Sequence, residues 1–450
     1  MTDASYDLLA TFQAALQLPV PAPPVTLPDG GSFTSIFAVS DLAQASIGVA
    51  GSALAALVAR RGDPPSVSVD RDLASAWFQS SIRPQGWEVP PPWDAVSGDY
   101  LCQDGWIRLH ANAPHHRAAM LAVLDVTAER DDVAGAVRSW PAHDLESAVV
   151  GTRGAAAAMR SESEWRAHPQ GRSVAREQLV SMERTSKWNG PPEPIAATQR
   201  PLEGLRVLDL TRVLAGPVAT RLLGGWGADV LRVDPLDWDE PSVAPEVTLG
   251  KRCARLDLRT ERGKHTLLGL LSEADVLVHG YRPGALDHLG LGGQVRDETR
   301  PGLVDVSLDA YGWTGPWQGR RGFDSLVQMS SGIADAGRAA SGSDRPVPLP
   351  VQALDHSTGY LLAASVLAGL VLRRSDGEGS RWRMSLARMA DVLLGTDRVG
   401  RDDERHGREL VIPDATGAIE PTAWGEARRL APPLIVEGSP LQWSVPARPL

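Results

Sequence analysis

A chain of 450 residues is too long for one ordinary hydrophobic core and predicts two or three domains. Its hydrophobic content of 43% and charged content of 22% are those of a globular protein, and a net charge of -10 excludes the basic face that nucleic-acid binding requires. An acidic chain can still hold a locally positive site for a small anion.

The opening segment, MTDASYDLLATFQ, carries acids where a secretory leader carries bases, so no leader is expected. PVPAPPVTLPDGG (19–31) reads as a loop, and VPPPW (89–93) as a second break. Between these lies VSDLAQASIGVAGSALAALVARR (39–61), an Ala/Leu helix that begins with Asp41 and ends in an Arg-Arg pair. GDYLCQDGWIRLH (98–110) predicts a β-hairpin turning at Asp104-Gly105, followed by a helix over HHRAAMLAVL (115–124). WNGPPEPIAATQRP (188–201) is the clearest linker. Cys102 and Cys253 read as two separate thiols, and no spaced His/Cys cluster predicts a metal site.

After the linker, short β-rich runs alternate with helical spacing: LRVLDL (205–210), VATRLLGGW (218–226), DVLRV (229–233), ERGKHTLLGLLSEA (261–274), DVLVHG (275–280) and the strand beginning at Gly302. This alternation predicts an α/β fold, a Rossmann-like parallel sheet with helices on both faces, beside a smaller α+β domain. ALDHSTGYLLAASVLAGLVLRR (353–374) echoes residues 39–61 with the same Asp, small polar turn, apolar helix and closing Arg-Arg, which indicates an internal duplication. The second run in each copy also matches, PSVSVDRDLASAWF (65–78) against RWRMSLARMADVLL (381–394). The longest apolar stretch, Leu361 to Leu372, falls short of the roughly 20 residues a membrane span needs. No membrane association is predicted, and a cytoplasmic location is.

Several residues carry possible chemistry. Gly216 and Pro217 open a helix at the end of a strand, a natural anion site. The dinucleotide fingerprint is missing there, although Asp234 stands where a ribose-binding acid would, so an NAD enzyme is disfavoured. Lys251 and Arg252 offer a point charge and a fork for phosphates, or a solvated charge run. Gly280, Tyr281 and Arg282 close a strand at the same sheet edge. Asp355 fits a helix N-cap, and the same place suits a nucleophilic carboxylate kept ionised by the helix dipole. Asp41 has the same local setting.

PLEGLRVLDLTRVLAGPVATRLLGGWGADVLRVD (201–234) resembles the opening of the family III CoA transferases, a superfamily that includes formyl-CoA transferase, carnitine CoA-transferase and the alpha-methylacyl-CoA racemases. GKRCARLDLRTERGKH, ADVLVHGYRPGALDHLGL (274–291), YGWTGPWQGRRGFDSLVQMSSG (311–332) and the Asp355 helix follow in family order. GDYLCQDGWIRLH and GEARRLAPPLIVEGSPLQW (425–443) resemble its small-domain and closing segments. The small domain here precedes the nucleotide-binding half instead of following it. The order implied is a degenerate copy of the aspartate-helix segment (1–80), a small domain (90–188), a linker (189–200), a large CoA-binding domain (201–400) and a closing segment (401–450).

The resemblance implies a CoA transferase with coenzyme A as co-substrate, no permanently bound cofactor, acyl-CoA and carboxylic acid substrates, and a homodimer. It implies Asp355 as the catalytic carboxylate, with Asp41 as runner-up. CoA contacts carry over to Val213, Leu214, Ala215, Gly216, Lys251, Arg252, Gly280, Tyr281, Arg282 and His288. The racemase branch uses a histidine in a Gly-His-Asp segment. Here Gly322-Phe323-Asp324 stands instead, which weighs against proton exchange at the acyl carbon; His356 is a poorly placed substitute. A non-catalytic CoA-binding protein is the other alternative.

Overall fold

The computed structural model describes residues 4–18, 23–59, 64–188, 190, 199–399, 408–415 and 417–450. Most of the linker at 189–200, the Arg-Arg pair of the first copy and the first residues of the 19–31 loop lie outside these.

Seven strands form the main sheet, in the spatial order Lys251–Arg255, Asp229–Asp234, Arg206–Leu210, Val276–His279, Val304–Asp309, Glu378–Ser385 and Ser181–Lys187. The first six are parallel and the last is antiparallel. Chain order reverses between Arg206–Leu210 and Val276–His279, so the crevice beyond their carboxyl ends is the expected ligand site of a doubly wound sheet. The residues alternate as the pleat demands. Val207, Val276 and Val278 join the core that holds the long helix Ala353–Asp376. Leu208, Leu210 and Leu277 join the opposite core, against helix Glu261–Ser272.

The predicted hairpin is present as Gly98–Leu101 and Trp106–Leu109, extended by Ala156–Ala158 and packed on its own apolar core. The small domain ends earlier than the sequence suggested. Ser181–Lys187 leaves it to pair with Glu378–Ser385, closing an edge of the large sheet that would otherwise offer free backbone groups. The 19–31 stretch holds the short strand Val25–Thr26.

The two matching segments share a helix–strand–helix order. Helix Val39–Val58 leads to strand Val67–Val69 and to the helix Arg71–Gln79, capped by Asp70. Helix Ala353–Asp376 leads to strand Glu378–Ser385 and to the helix Leu386–Leu394, capped by Ser385. The second copy sits in the large sheet. The first retains a three-stranded remnant of Val25–Thr26, Val67–Val69 and Leu434–Val436, the last from the closing segment. The two long helices pack against one another as the most extensive helix pair of the fold. They are the only described helices long and apolar enough to cross a membrane, but 89% and 94% of those windows are buried inside the protein. Both cysteines are free thiols.

The first copy's aspartate is not a nucleophile in waiting. Asp41 is buried and forked by Arg71, with both contacts at 3.0 Å, and it also accepts from Ser5 Oγ at 3.0 Å. A carboxylate so neutralised holds the N-terminal segment together. Breaking a buried pair by removing one partner typically costs about 3–5 kcal/mol, whereas replacing both partners with apolar groups costs far less. Urea unfolding of Arg71→Ala is expected to show a loss of that size, and Asp41→Leu/Arg71→Met to recover most of it.

Candidate active site

Asp209 organises the first turn after the first strand of the large domain. Its buried carboxylate accepts from Thr211 N at 2.9 Å, Thr211 Oγ1 at 2.5 Å, Thr220 Oγ1 at 2.5 Å and Lys251 Nζ at 3.0 Å. Lys251 also donates to the Pro217 carbonyl at 2.9 Å and is wholly buried. It therefore fixes the strand–turn–helix unit instead of meeting a phosphate. Arg252 lies at the amino end of its strand, exposed and forked onto Asp229, and is likewise no phosphate ligand. Gly216 corrects a third expectation. A Cβ there would fall 2.2 Å from Thr211 Cβ, so the glycine serves backbone packing, not ligand approach. Ala215 is buried beside it as the first residue of helix Ala215–Gly225, with Pro217 at the third position.

Val213 does face the crevice. Its φ is +65°, a left-handed conformation that a β-branched residue adopts only under constraint. Glu240 supplies that constraint by accepting from Val213 N at 2.6 Å while Arg232 holds its other oxygen at 2.6 Å. Val213 and Leu214 line a cleft of about 410 Å³ with Trp238 and Asp237, and with Trp93, His110 and Asn112 from the small domain. Its floor is Phe323, Asp324, Ser325, Gln352 and Asp355.

Asp355 is the third residue of its helix, and Gln352 occupies the N-cap without a side-chain hydrogen bond. The capping group comes from elsewhere: Asp324 accepts from Asp355 N at 2.9 Å and also from Leu354 N. Gln328 Nε2 binds the other oxygen of Asp324 at 2.5 Å. The helix-start amides are thus occupied by Asp324. They neither stabilise a charged Asp355 nor form an open oxyanion hole, contrary to the sequence expectation. Burial, and then the adjacent Asp324, push the Asp355 carboxyl well above the ordinary carboxylate range. Burial also lifts Asp324, to about 6. Gly359 brings this helix close to the nucleotide-side turn, since a Cβ there would lie 2.4 Å from the Ala215 carbonyl oxygen.

Phe323 stacks on His110 with ring centroids 3.7 Å apart and planes 6° from parallel. Burial holds His110 at a pKa of about 3, so it is neutral and a poor proton acceptor. His356 faces away from the cleft, stacked on Phe78 at 4.9 Å.

Basic groups gather at the outer end. Arg212 lies over Trp238 at 5.0 Å and over Tyr281 at 5.4 Å. Burial, then Arg282 and Arg153, lower the pKa of Arg321. Burial, then Arg321, lower the pKa of His115 against the pull of Asp237, so its imidazole is a neutral hydrogen-bonding group among these arginines. Arg282 also donates to the Gly319 carbonyl at 2.8 Å, and Gly280 is exposed beside it with room around its α-carbon. His288 is on the short helix Ala285–His288, exposed, with Nδ1 turned to the Gly284 carbonyl. Of these residues the sequence reading singled out only Arg282 and His288. Arg212, Arg321, Arg153 and His115 escaped it because they are isolated along the chain and meet only through folding. The Arg212–Val213 step and the Arg320-Arg321 pair inside the family-like stretches were the available signals.

Residues 202–408 match the family model for CoA-transferase family III. Succinyl-CoA:glutarate CoA-transferase of Mus musculus is 35% identical over 205 residues, 43% of this chain and 47% of that protein. Formyl-CoA:oxalate CoA-transferase of Escherichia coli is 32% identical over 225 residues, 46% of this chain and 51% of that protein. A crystal structure of Rv3272 from Mycobacterium tuberculosis is 32% identical over 43% of this chain and 57% of its own, with a TM-score of 0.39. The chain spans about half the length of the curated relatives it matches. The matched stretch supplies the Val213 turn and both carboxyls of the cleft floor, while the segment before it supplies Trp93 and His110.

Replacing Asp324 tests the coupling of the two carboxyls. A carboxyl with a raised folded-state pKa lends stability that is complete below its unfolded pKa and lost as pH rises through the folded one. Asp324→Asn keeps one acceptor oxygen but removes the charge. Its Tm relative to the parent is therefore expected to become steadily more favourable as pH rises from about 4 through about 6, the folded-state value. A parallel pair of Tm curves over that range would contradict the coupling.

Proposed function

We propose that the chain transfers coenzyme A from an acyl-CoA to a carboxylic acid through Asp355. The observation that carries this is a desolvated carboxyl on the floor of the cleft, without a hydrogen bond to its oxygens among the described residues, facing the Val213–Leu214 turn. The relatives named above as CoA-transferases support the reaction class.

The CoA phosphates meet Arg212, Arg282, Arg321 and His115 in place of Lys251 and Arg252. The pantetheine arm passes Val213 and Leu214. Asp355, whose carboxyl burial favours in the protonated form, first gives its proton to solvent; the carboxylate attacks the thioester carbonyl, the carbon–sulfur bond breaks and CoA leaves as thiolate, giving a mixed anhydride. The thiolate attacks the aspartyl carbonyl of that anhydride and releases the donor carboxylate, leaving an aspartyl-CoA thioester. The acceptor carboxylate attacks this thioester and expels the thiolate, which then takes the acceptor's acyl carbon and frees Asp355. Ser325 Oγ, buried without a partner, and the Gln352 amide are the donors nearest the developing oxyanions. The reading carries with it a cytoplasmic homodimer, measurable by sedimentation.

Mixing the purified chain with an acyl-CoA and then hydroxylamine is expected to leave a hydroxamate on Asp355, detected by mass spectrometry. Asp355→Asn is expected to give no adduct and no exchange while still binding CoA. CoA binding by the parent chain without any adduct would support a binding protein instead.

The phosphate end has its own test. Arg321→Ala is expected to weaken CoA binding by about tenfold, the worth of one charge-assisted hydrogen bond. Arg252→Ala, which removes an exposed pair, should change it by less than about twofold. Calorimetry of CoA binding measures both.

A further inference from the structure

The two carboxyls of the cleft floor are hydrogen-bonded unequally. Asp324 Oδ2 accepts from Asp355 N at 2.9 Å, Leu354 N also donates to Asp324, and Gln328 Nε2 donates to Oδ1 at 2.5 Å. The Asp355 oxygens accept no hydrogen bond among the described residues. Gln328 is fully buried, one turn beyond Asp324 on helix Asp324–Ser331, and its amide has one orientation. Leu349 N, from the PVPLP connection before the Asp355 helix, points at Gln328 Oε1 at 2.7 Å. A backbone N–H requires an oxygen there, so the NH2 group faces Asp324. The other charges around the pair are already engaged. Arg108 of the hairpin acts on Asp324 but is paired with Asp99 at 2.8 Å. His110 is neutral, and His356 is stacked on Phe78. In the cleft wall Asp94, Asp239 and Glu240 are paired with Arg117, Arg255 and Arg232, and Asp237 stands among them.

We infer that Gln328 is a positioning residue for the nucleophile: by donating to Asp324 it keeps Asp324 the ionised member of the pair and leaves the shared proton on Asp355. This rests on the reading of Asp355 as the nucleophile. A carboxylate that accepts three N–H groups is stabilised in its charged form, and a proton placed on Asp324 would find only donors around it. Asp355 has no such donors, so a proton there breaks no hydrogen bond. Burial raises both carboxyls, but Asp324 only to about 6, with the Gln328 hydrogen bond the strongest influence holding it down, while Asp355 lies well above the ordinary range. Asp355 is thus stored as a neutral acid and is nucleophilic only in the fraction of molecules in which its proton has gone to solvent. Without the Gln328 donor the proton passes more readily to Asp324, and a larger fraction holds Asp355 as the carboxylate at the same pH.

The test is the rate of adduct formation at Asp355 on the full chain, followed from about pH 5.5 to about pH 9 with whichever of butyryl-CoA and succinyl-CoA reacts faster. In the parent the rate is expected to rise with pH as Asp355 loses its proton. Gln328→Met keeps the length of the side chain and removes its N–H groups. It is expected to lift the low-pH arm of the profile about tenfold relative to the high-pH arm, the worth of one charge-assisted hydrogen bond. Gln328→Asn, too short to span Leu349 N and Asp324 together, is expected to move the profile in the same direction and supplies the test should the first variant not fold. Rates lowered by one common factor across the whole range would make Gln328 a packing residue, overturning the inference while leaving Asp355 as nucleophile. No adduct from either donor in the parent at any pH, with CoA still bound, overturns the reading of Asp355 itself and this inference with it.

Discussion

The start of a buried helix governs this site. Helix Ala353–Asp376 is enclosed along almost its whole length, so its first amides cannot turn to water and must find acceptors inside the protein. Asp324, from the neighbouring helix, is that acceptor. The same contact brings two carboxyls together in a desolvated cleft, where burial disfavours the charge of both and Asp324 adds to the effect on Asp355. The structural need to cap the helix and the chemical character of Asp355 thus have a common origin. The neighbouring turn shows a similar economy, with Asp209 and Lys251 engaged in fixing the turn and Glu240 in holding Val213 in its unusual conformation.

The N-terminal segment, with the same element order as the Asp355 segment, frames this centre. The first copy no longer builds a large sheet, yet its long helix remains as the surface against which the second copy's helix packs. Its aspartate has been absorbed into a buried ion pair with Arg71. Glu246 then ties the remnant to the large domain. It accepts from Ser81 N at 2.6 Å and Ile82 N at 2.8 Å on one side, and from Arg221 at 2.6 Å on the other. The closing segment adds to this clamp through Leu434–Val436 and through Trp443, which stacks on Trp77 at 5.7 Å.

Periodicity and composition made the large domain legible. Strand and helix spacing after residue 200 located the parallel sheet, the echo between Asp41 and Asp355 located the duplication, and Asp104-Gly105 located the hairpin. What could not be read were contacts made by side chains distant in sequence. Lys251 looks like a phosphate ligand in a basic run, but its aliphatic stem carries the charge inward to Asp209. Asp355 looks like its own helix cap, because the capping role of Asp324, 31 residues earlier, depends on how two helices meet. The Arg212, Arg282, Arg321 and His115 group is spread over more than 200 positions and acquires meaning only when the small domain lies over the sheet edge.

The sharing of one cleft by two distant stretches of the chain has a kinetic consequence. Trp93 and His110 on one wall and Asp355 on the other belong to a single polypeptide, so closing the cleft is a unimolecular event. Tethering sets the local concentration of one wall around the other. The completeness of this pocket therefore does not decline on dilution, and damage to one wall cannot be complemented by mixing with a second, intact copy.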